Sequence, residues 1–237
     1  MHQEGKINNW LIWLIILMGI LSPLIYSAGT IRKLFLGWRT PTTWISALPG
    51  QGWVEVIGKV KGNPIQSLFT KSECAYWQLE VKEYHSSGRG GGRWRTVHKE
   101  SSGPFEVDDL TGRIKILEGN TDLVLDRESV VENLSEQDKT LVEGLGIKTK
   151  GLLGFNKKMR VVERLVALEA EILVLGRIQK SEGLISISGS SIIPQIISNL
   201  SKSEMLRTYF WRSIRPMILP YLIGVVFLVF YIYMIMR

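Results

Sequence analysis

The sequence predicts a β-rich α+β domain, a mostly antiparallel sheet or small barrel with one helical excursion, bracketed by two transmembrane helices. Three observations lead there. Runs that alternate apolar with polar residues, punctuated by Gly, Pro, Asn and Asp, fill the middle of the chain. Two uncharged, mostly apolar stretches, Ile7 to Ile31 and Met217 to Met236, stand near its ends. Each is long enough to cross about 30 Å of hydrocarbon as a helix. The charge divides at the same places: residues 40–198 hold 20 Lys+Arg and 20 Asp+Glu, so the whole formal +7 lies in the flanks. Three regions follow: an anchor with a basic flank at 1–39, a β-rich domain at 40–198, and a juxtamembrane helix with a second span at 199–237.

In the first region Trp10, Trp13 and Tyr26 put aromatic rings at both prospective interfaces, and Pro23 is placed to kink the last turn. A cleaved signal peptide is the competing reading, because Lys6 precedes the apolar run. The length of that run, and the bulky ring in Tyr26-Ser27-Ala28, favour an uncleaved anchor. Arg32, Lys33, Arg39, Lys202, Arg207, Arg212 and Arg215 lie on the domain side of the spans, against Lys6 and Arg237 on the far side. That asymmetry predicts an integral, two-pass protein with its domain facing the cytoplasm. The sequons at Asn133 and Asn199 are discounted accordingly.

The β block runs from Trp53 to Leu117. Ala75, Trp77, Leu79 and Val81 are expected on one face of a strand, with Cys74, Tyr76, Gln78, Glu80 and Lys82 on the other. Cys74 is the lone cysteine, which excludes an internal disulfide and a cysteine-rich zinc module and suggests a small buried hydrophobe. The segment from Ser86 to Arg93 carries four glycines and is followed by another strand-like run rather than a helix. It reads as a hairpin tip, not as a phosphate loop. A turn near Gly90 would set His85 opposite Trp94 and leave His98 nearer Val81, too far apart on the ladder for a shared metal. Asp108-Asp109-Leu110-Thr111-Gly112 reads as an Asx turn in which Gly112 takes the positive φ.

Beyond Asp122 the pattern lengthens. Ser135-Glu-Gln-Asp138 resembles a helix-capping signal with Asp where Glu or Gln is usual. Next, Gly144 to Arg160 sets Lys148, Lys150, Lys157, Lys158 and Arg160 around Leu152, Leu153 and Phe155. Cationic residues interleaved with apolar ones suit a lipid headgroup region, and Lys148, Lys150, Lys157, Lys158 and Phe155 are the candidate contact residues. The competing reading is a surface loop that tucks its Leu and Phe side chains into the core. Val161 to Leu168, Glu171 to Gln179 and Leu184 to Ser188 restore the strand pattern, and Ser201-Lys-Ser-Glu204 is a capping box for the helix leading to the second span.

The order of these landmarks resembles the GIDE family, membrane E3 ubiquitin ligases whose inter-span region is called the BAM, or beside-a-membrane, domain. The matching positions are Gly58, Val60, Gly62 and Pro64, Ser67, Cys74 with Tyr76 and Trp77, Glu83, Trp94, Pro104-Phe105, Asp109 with Thr111-Gly112, then Glu163, Gly176 and the Ile197-Ser198 to Glu204 lead-in. The resemblance implies an anchored β domain that binds or senses, and a ligase whose RING needs about eight Cys/His zinc ligands. This sequence holds one Cys and three His. It therefore departs from the ligase pattern, and no catalytic residue carries over.

Function is read from these absences and from the flanks. With no nucleophile–base pair, metal cluster or nucleotide loop, the leading expectation is a non-enzymatic interaction or sensing domain without a cofactor, presented at the membrane surface. Its partners would be the lipid bilayer and an unidentified protein. The alternative is a ligase-like substrate-binding component in ubiquitin-like transfer or membrane organisation, with a separate RING partner. Nucleic acid is not expected, because the domain is neutral and two arginines in the glycine segment are too few. A transporter lacks the intramembrane charge that a polar pathway needs. Self-association stays open, although Gly19 and Gly224 are isolated and make no G-x-x-x-G face.

Overall fold

The computed structural model describes residues 29, 31–86, 91–151, 154–181, 184–211, 215, 218, 222, 226 and 233. Two compact units make up the chain, one spanning Thr40–Ser201 and one formed from the flanking segments. In the flanking unit, residues 31–39 and 202–211 are helical. Lys33 lies 5.5 Å from the Tyr209 ring centre, and Arg39 lies 5.6 Å from that of Phe35.

The expectation of a domain bracketed by two transmembrane helices is corrected here. Among the described residues no helix is long and apolar enough to cross a membrane. The described helical runs are broken chemically by Arg32, Lys33 and Arg39 and by Lys202, Glu204 and Arg207, charges that lipid hydrocarbon would not accept without partners. The two apolar stretches themselves, Ile7 to Ile31 and Met217 to Met236, fall almost wholly outside the described residues.

Among its described residues the Thr40–Ser201 unit carries thirteen strands: β1 Trp53–Lys61, β2 Ile65–Gln66, β3 Glu73–Cys74, β4 Tyr76–Ser86, β5 Gly92–Ser101, β6 Phe105–Asp108, β7 Arg113–Ile116, β8 Thr121–Val124, β9 Ser129–Val131, β10 Met159–Val166, β11 Glu171–Ser181, β12 Leu184–Ser188 and β13 Gln195–Ser198. The larger sheet runs β1-β6-β7-β12-β11, and β11 returns to β1. Five strands therefore close on themselves, in the chain order first, second, third, fifth, fourth, with the β7–β12 seam parallel. This is a five-stranded Greek-key barrel of the kind seen in OB folds. β13 and then β8 extend the sheet from the free edge of β11.

Alternation dictates the interior. Val54, Val56 and Val60 of β1 point inward, as do Phe105 and Val107, Ile114 and Ile116, Ile172, Val174 and Ile178, and Ile187; all are buried in one cluster. Each such side chain contributes roughly 1.5–3 kcal/mol of burial. Gly176 lets β12 approach, since a Cβ there would meet Ile187 Cγ2 at 2.3 Å.

The second sheet is β5-β4-β10-β9. One face packs Trp77, Leu79, Val81, Met159 and Val161 against Val142 of the Glu136–Gly144 helix and against Leu145 and Ile147 beyond it. That helix is capped as its sequence suggests: Asp138 N–H donates to Ser135 Oγ at 3.2 Å, and Ser135 N–H donates to Asp138 Oδ2 at 2.9 Å. The face assignment of the preceding segment is revised. The chain bends at Ala75 between β3 and β4, so Ala75 and Tyr76 join the barrel core while Cys74 joins Trp77.

Candidate functional site: a basic hairpin beside an aromatic pair

Within the Gly144 to Arg160 segment, Thr149 to Gly151 pair with Phe155 to Lys157 as the two arms of a short hairpin. Lys157 N–H donates to Thr149 O at 2.8 Å, Lys150 bridges Asn156, and Gly151 N–H donates to Phe155 O at 2.9 Å. Gly154 turns the tip with φ of 78°, a conformation open to glycine without steric cost. The root is anchored by Thr149, which is buried and donates to Glu143. The tip is in water: Phe155 is 75% exposed. Lys148, Lys150 and Lys158 are exposed with it, whereas Lys157 is half-buried and pairs with Glu83 at 3.1 Å.

Strand pairing brings an aromatic pair to the hairpin's base, which the linear sequence does not show. Tyr84 N–H donates to Lys158 O at 2.8 Å, and Tyr84 faces Trp94 across β4 and β5 with ring centres 5.4 Å apart. Lys158 Nζ sits 5.0 Å from the Tyr84 ring centre, and the Arg160 guanidinium sits 4.5 Å from that of Trp94. Such contacts hold cations in place, and Arg160 also pairs with Glu132 at 3.6 Å. Farther down the same face, Arg164 joins Glu80 at 3.1 Å and Glu128 at 2.8 Å. Burial works against the Glu80 charge, but the Lys82 bond and the nearby Arg164 outweigh it and hold the carboxyl below its usual range. Tyr84, Trp94 and Arg160 are thus the site residues that sequence reasoning missed as a group; the signal was the hairpin register.

That register also corrects the histidine placement. His85 opposes Arg93 rather than Trp94; His98 opposes Val81 as expected, since a bulge between Val81 and Lys82 absorbs one residue of β5. His98 instead lies 3.2 Å from Glu100. Among the described residues no three His, Cys, Asp or Glu side chains converge to hold a metal ion.

Three positions of the resemblance meet in one buried network. Glu163, 1% exposed, accepts from Ser67 Oγ at 3.2 Å, Phe69 N–H at 2.8 Å, Thr70 N–H at 2.9 Å and Thr70 Oγ1 at 2.6 Å. Its carboxylate stitches the loop between β2 and β3 to the second sheet. Cys74 lies nearby, and burial followed by the Glu163 charge pushes its thiol up to about 11 against an opposing bond from the Tyr76 backbone. A thiol so rarely ionised is inert as a nucleophile.

The Asp108 to Gly112 turn departs from expectation at one residue. Leu110, not Gly112, takes the positive φ, at 72°. Gly112 serves closeness instead, since a Cβ there would meet Ile45 Cγ2 at 3.0 Å. A left-handed residue with a Cβ costs roughly 1–2 kcal/mol. Asp109 holds the turn: Oδ1 accepts from Thr111 N–H and Gly112 N–H at 2.9 and 3.1 Å, and Oδ2 from Ile45 N–H at 2.6 Å. Burial opposes its charge, but these bonds prevail and lower its pKa.

The model of a family described as GIDE, E3 ubiquitin ligase, matches residues 78–227. The chain belongs to the GIDE family. The match begins inside β4, so the GIDE positions Glu83, Trp94, Pro104-Phe105, Asp109, Thr111-Gly112, Glu163 and Gly176 lie within it, whereas Gly58 through Trp77 precede it. No curated protein and no solved structure matches the chain. As a GIDE member it is ligase-like in family.

Proposed function

We propose that this chain carries a non-catalytic recognition domain of GIDE type that works at a membrane surface, touching anionic headgroups through its basic hairpin. The observation that supports this most is the exposed Phe155 at the tip of a hairpin flanked by the exposed Lys148, Lys150 and Lys158. An apolar ring there suits the boundary of headgroup and acyl chain, and each lysine near an anionic surface adds roughly 1 kcal/mol. In ligase-like work the domain would bind a substrate or partner, with a separate RING protein recruiting the ubiquitin-conjugating enzyme.

The test is sedimentation of the Thr40–Ser201 unit, once its cooperative melting is established, with phosphatidylserine-containing or purely zwitterionic vesicles. Binding to the anionic vesicles alone is expected, weakened by salt because screening acts over about 10 Å at 0.1 M. Replacing Lys148, Lys150, Lys157 and Lys158 by Gln should abolish it, and Phe155→Ser should weaken it with little change in melting temperature. Equal binding to both vesicle types, or a collapse of stability in Phe155→Ser, would remove the basis for the reading.

A further inference from the structure

A cleft of the Thr40–Ser201 unit lies on the outer face of the barrel, lined by residues other than those of the basic hairpin. It is an open cleft of about 710 Å³. Its floor is Ile57 and Gly58 of β1, its walls are Thr42 to Trp44 and Asp108 to Leu110, and Lys59, Lys61, Arg113, Glu169 and Glu171 rim it. Gly58 is held tightly against β6, since a Cβ there would meet Asp108 O at 2.6 Å. The floor is therefore rigid.

Two features mark this cleft as built for contact. Trp44 is 63% exposed and Leu110 is 98% exposed, so two large apolar side chains that line the cleft stand in water. Leu110 and Glu169, two of the described non-glycine residues with positive φ, both line it. Backbone strain of this kind gathers at binding sites. Leucine at 110 gives the free domain nothing that glycine would not give better; only an apolar partner lets its side chain bury area.

The charges select the partner's chemistry. Lys61 is taken by Glu169 at 2.7 Å and Arg113 by Asp108 at 2.9 Å. Lys59 and Glu171 remain, exposed and directly opposite each other across β1 and β11. Among the described residues neither makes an ion pair. With those pairs neutralised, the rim offers one unpaired charge of each sign, and it complements a chain that carries both signs itself.

We propose that this cleft docks an extended peptide segment of a partner protein, whose large apolar side chain lies on Ile57 between Trp44 and Leu110 while charged neighbours reach Lys59 and Glu171. Trp and Leu anchors in a preformed groove, with a polar rim, are the usual anatomy of such recognition. The inference does not depend on the membrane reading, because it uses the opposite chemistry on a different face.

The experiment pans the full chain against a displayed library of random twelve-residue peptides and measures the enriched peptide, made synthetically, by fluorescence anisotropy. The expected consensus has one large apolar residue flanked by an acidic and a basic one. Trp44→Ala and Leu110→Gly should each weaken binding at least tenfold. Leu110→Gly should also raise the melting temperature by roughly 2–4 °C, since relief of the strained φ shifts it by that much in a chain of this size. Lys59→Glu should exchange the preferred flanking charge. The proposal is overturned if no peptide is enriched, if the enriched peptide binds the Trp44 and Leu110 variants as it binds the parent, or if Leu110→Gly instead abolishes self-association or vesicle binding.

Discussion

Glu163 shows how one side chain fixes a loop. Its carboxylate accepts four hydrogen bonds in a buried site, and glutamine would turn an N–H₂ toward donors on one side of it. Glu163→Gln is expected to cost about 3 kcal/mol, the scale of buried bonds to a charged group left unmade. Glu106→Gln, at an exposed position of β6, should stay within about 0.5 kcal/mol. Urea unfolding of both variants checks this, and a Glu163→Gln protein as stable as the parent would show that the loop relaxes freely. The sequence placed Ser67, Cys74 and Glu163 in one family pattern without revealing why. Their convergence depends on β10 lying beside β4, a pairing between distant segments that alternation cannot supply. Leu110 is hidden for a different reason: turn chemistry points to Gly112 for positive φ, whereas Leu110 takes it and Gly112 serves the close approach of Ile45.

At the scale of elements, alternation was legible and register was not. β1, β4, β10 and β11 stand where the apolar–polar runs lie, and the Ser135 cap opens its helix despite the shorter Asp138. The register with which β5 returns along β4 left no mark in composition, so the Tyr84–Trp94 pair at the hairpin base was hidden with it. Close strand approach is testable through glycine. Gly176→Ala should destabilise by about 1–3 kcal/mol, because its Cβ would meet Ile187 Cγ2 at 2.3 Å and Ser188 O at 3.1 Å. Gly144→Ala, at the helix end with no atom within 4 Å of the new Cβ, should be neutral or stabilising by up to about 1 kcal/mol. Calorimetric melting of the two variants gives opposite signs if the approach of β12 to β11 is what excludes a side chain.

For the molecule as a whole, closure of the barrel joins the beginning of the domain to its end. Trp53 pairs with Arg177 and Lys59 with Glu171, whereas β4 and β5 pair across a local turn. Loops of that length must be closed before the barrel core gains anything, so refolding is expected on the millisecond-to-second scale rather than faster. Pulsed hydrogen exchange should find β4 and β5 amides protected before those of β1. Early protection of β1 would mean that the barrel forms first and the second sheet docks afterwards.

Lys61 at the end of β1 and Glu106 near the start of β6 are register partners, so the chain from Gly62 to Pro104 leaves the barrel and returns to the same spot. A second excursion departs after Ile116 and re-enters at Glu171. Neither is free to change alone, because β4 of the first excursion and β10 of the second share a ladder from Tyr76–Val166 to Glu83–Met159. In evolutionary terms the two arms are one heritable part split across the gene. Lineages that trim one are expected to trim the other, and a chimaera that exchanges only the first arm should expose the bare edge of β10 and aggregate, while exchange of both should leave the barrel intact.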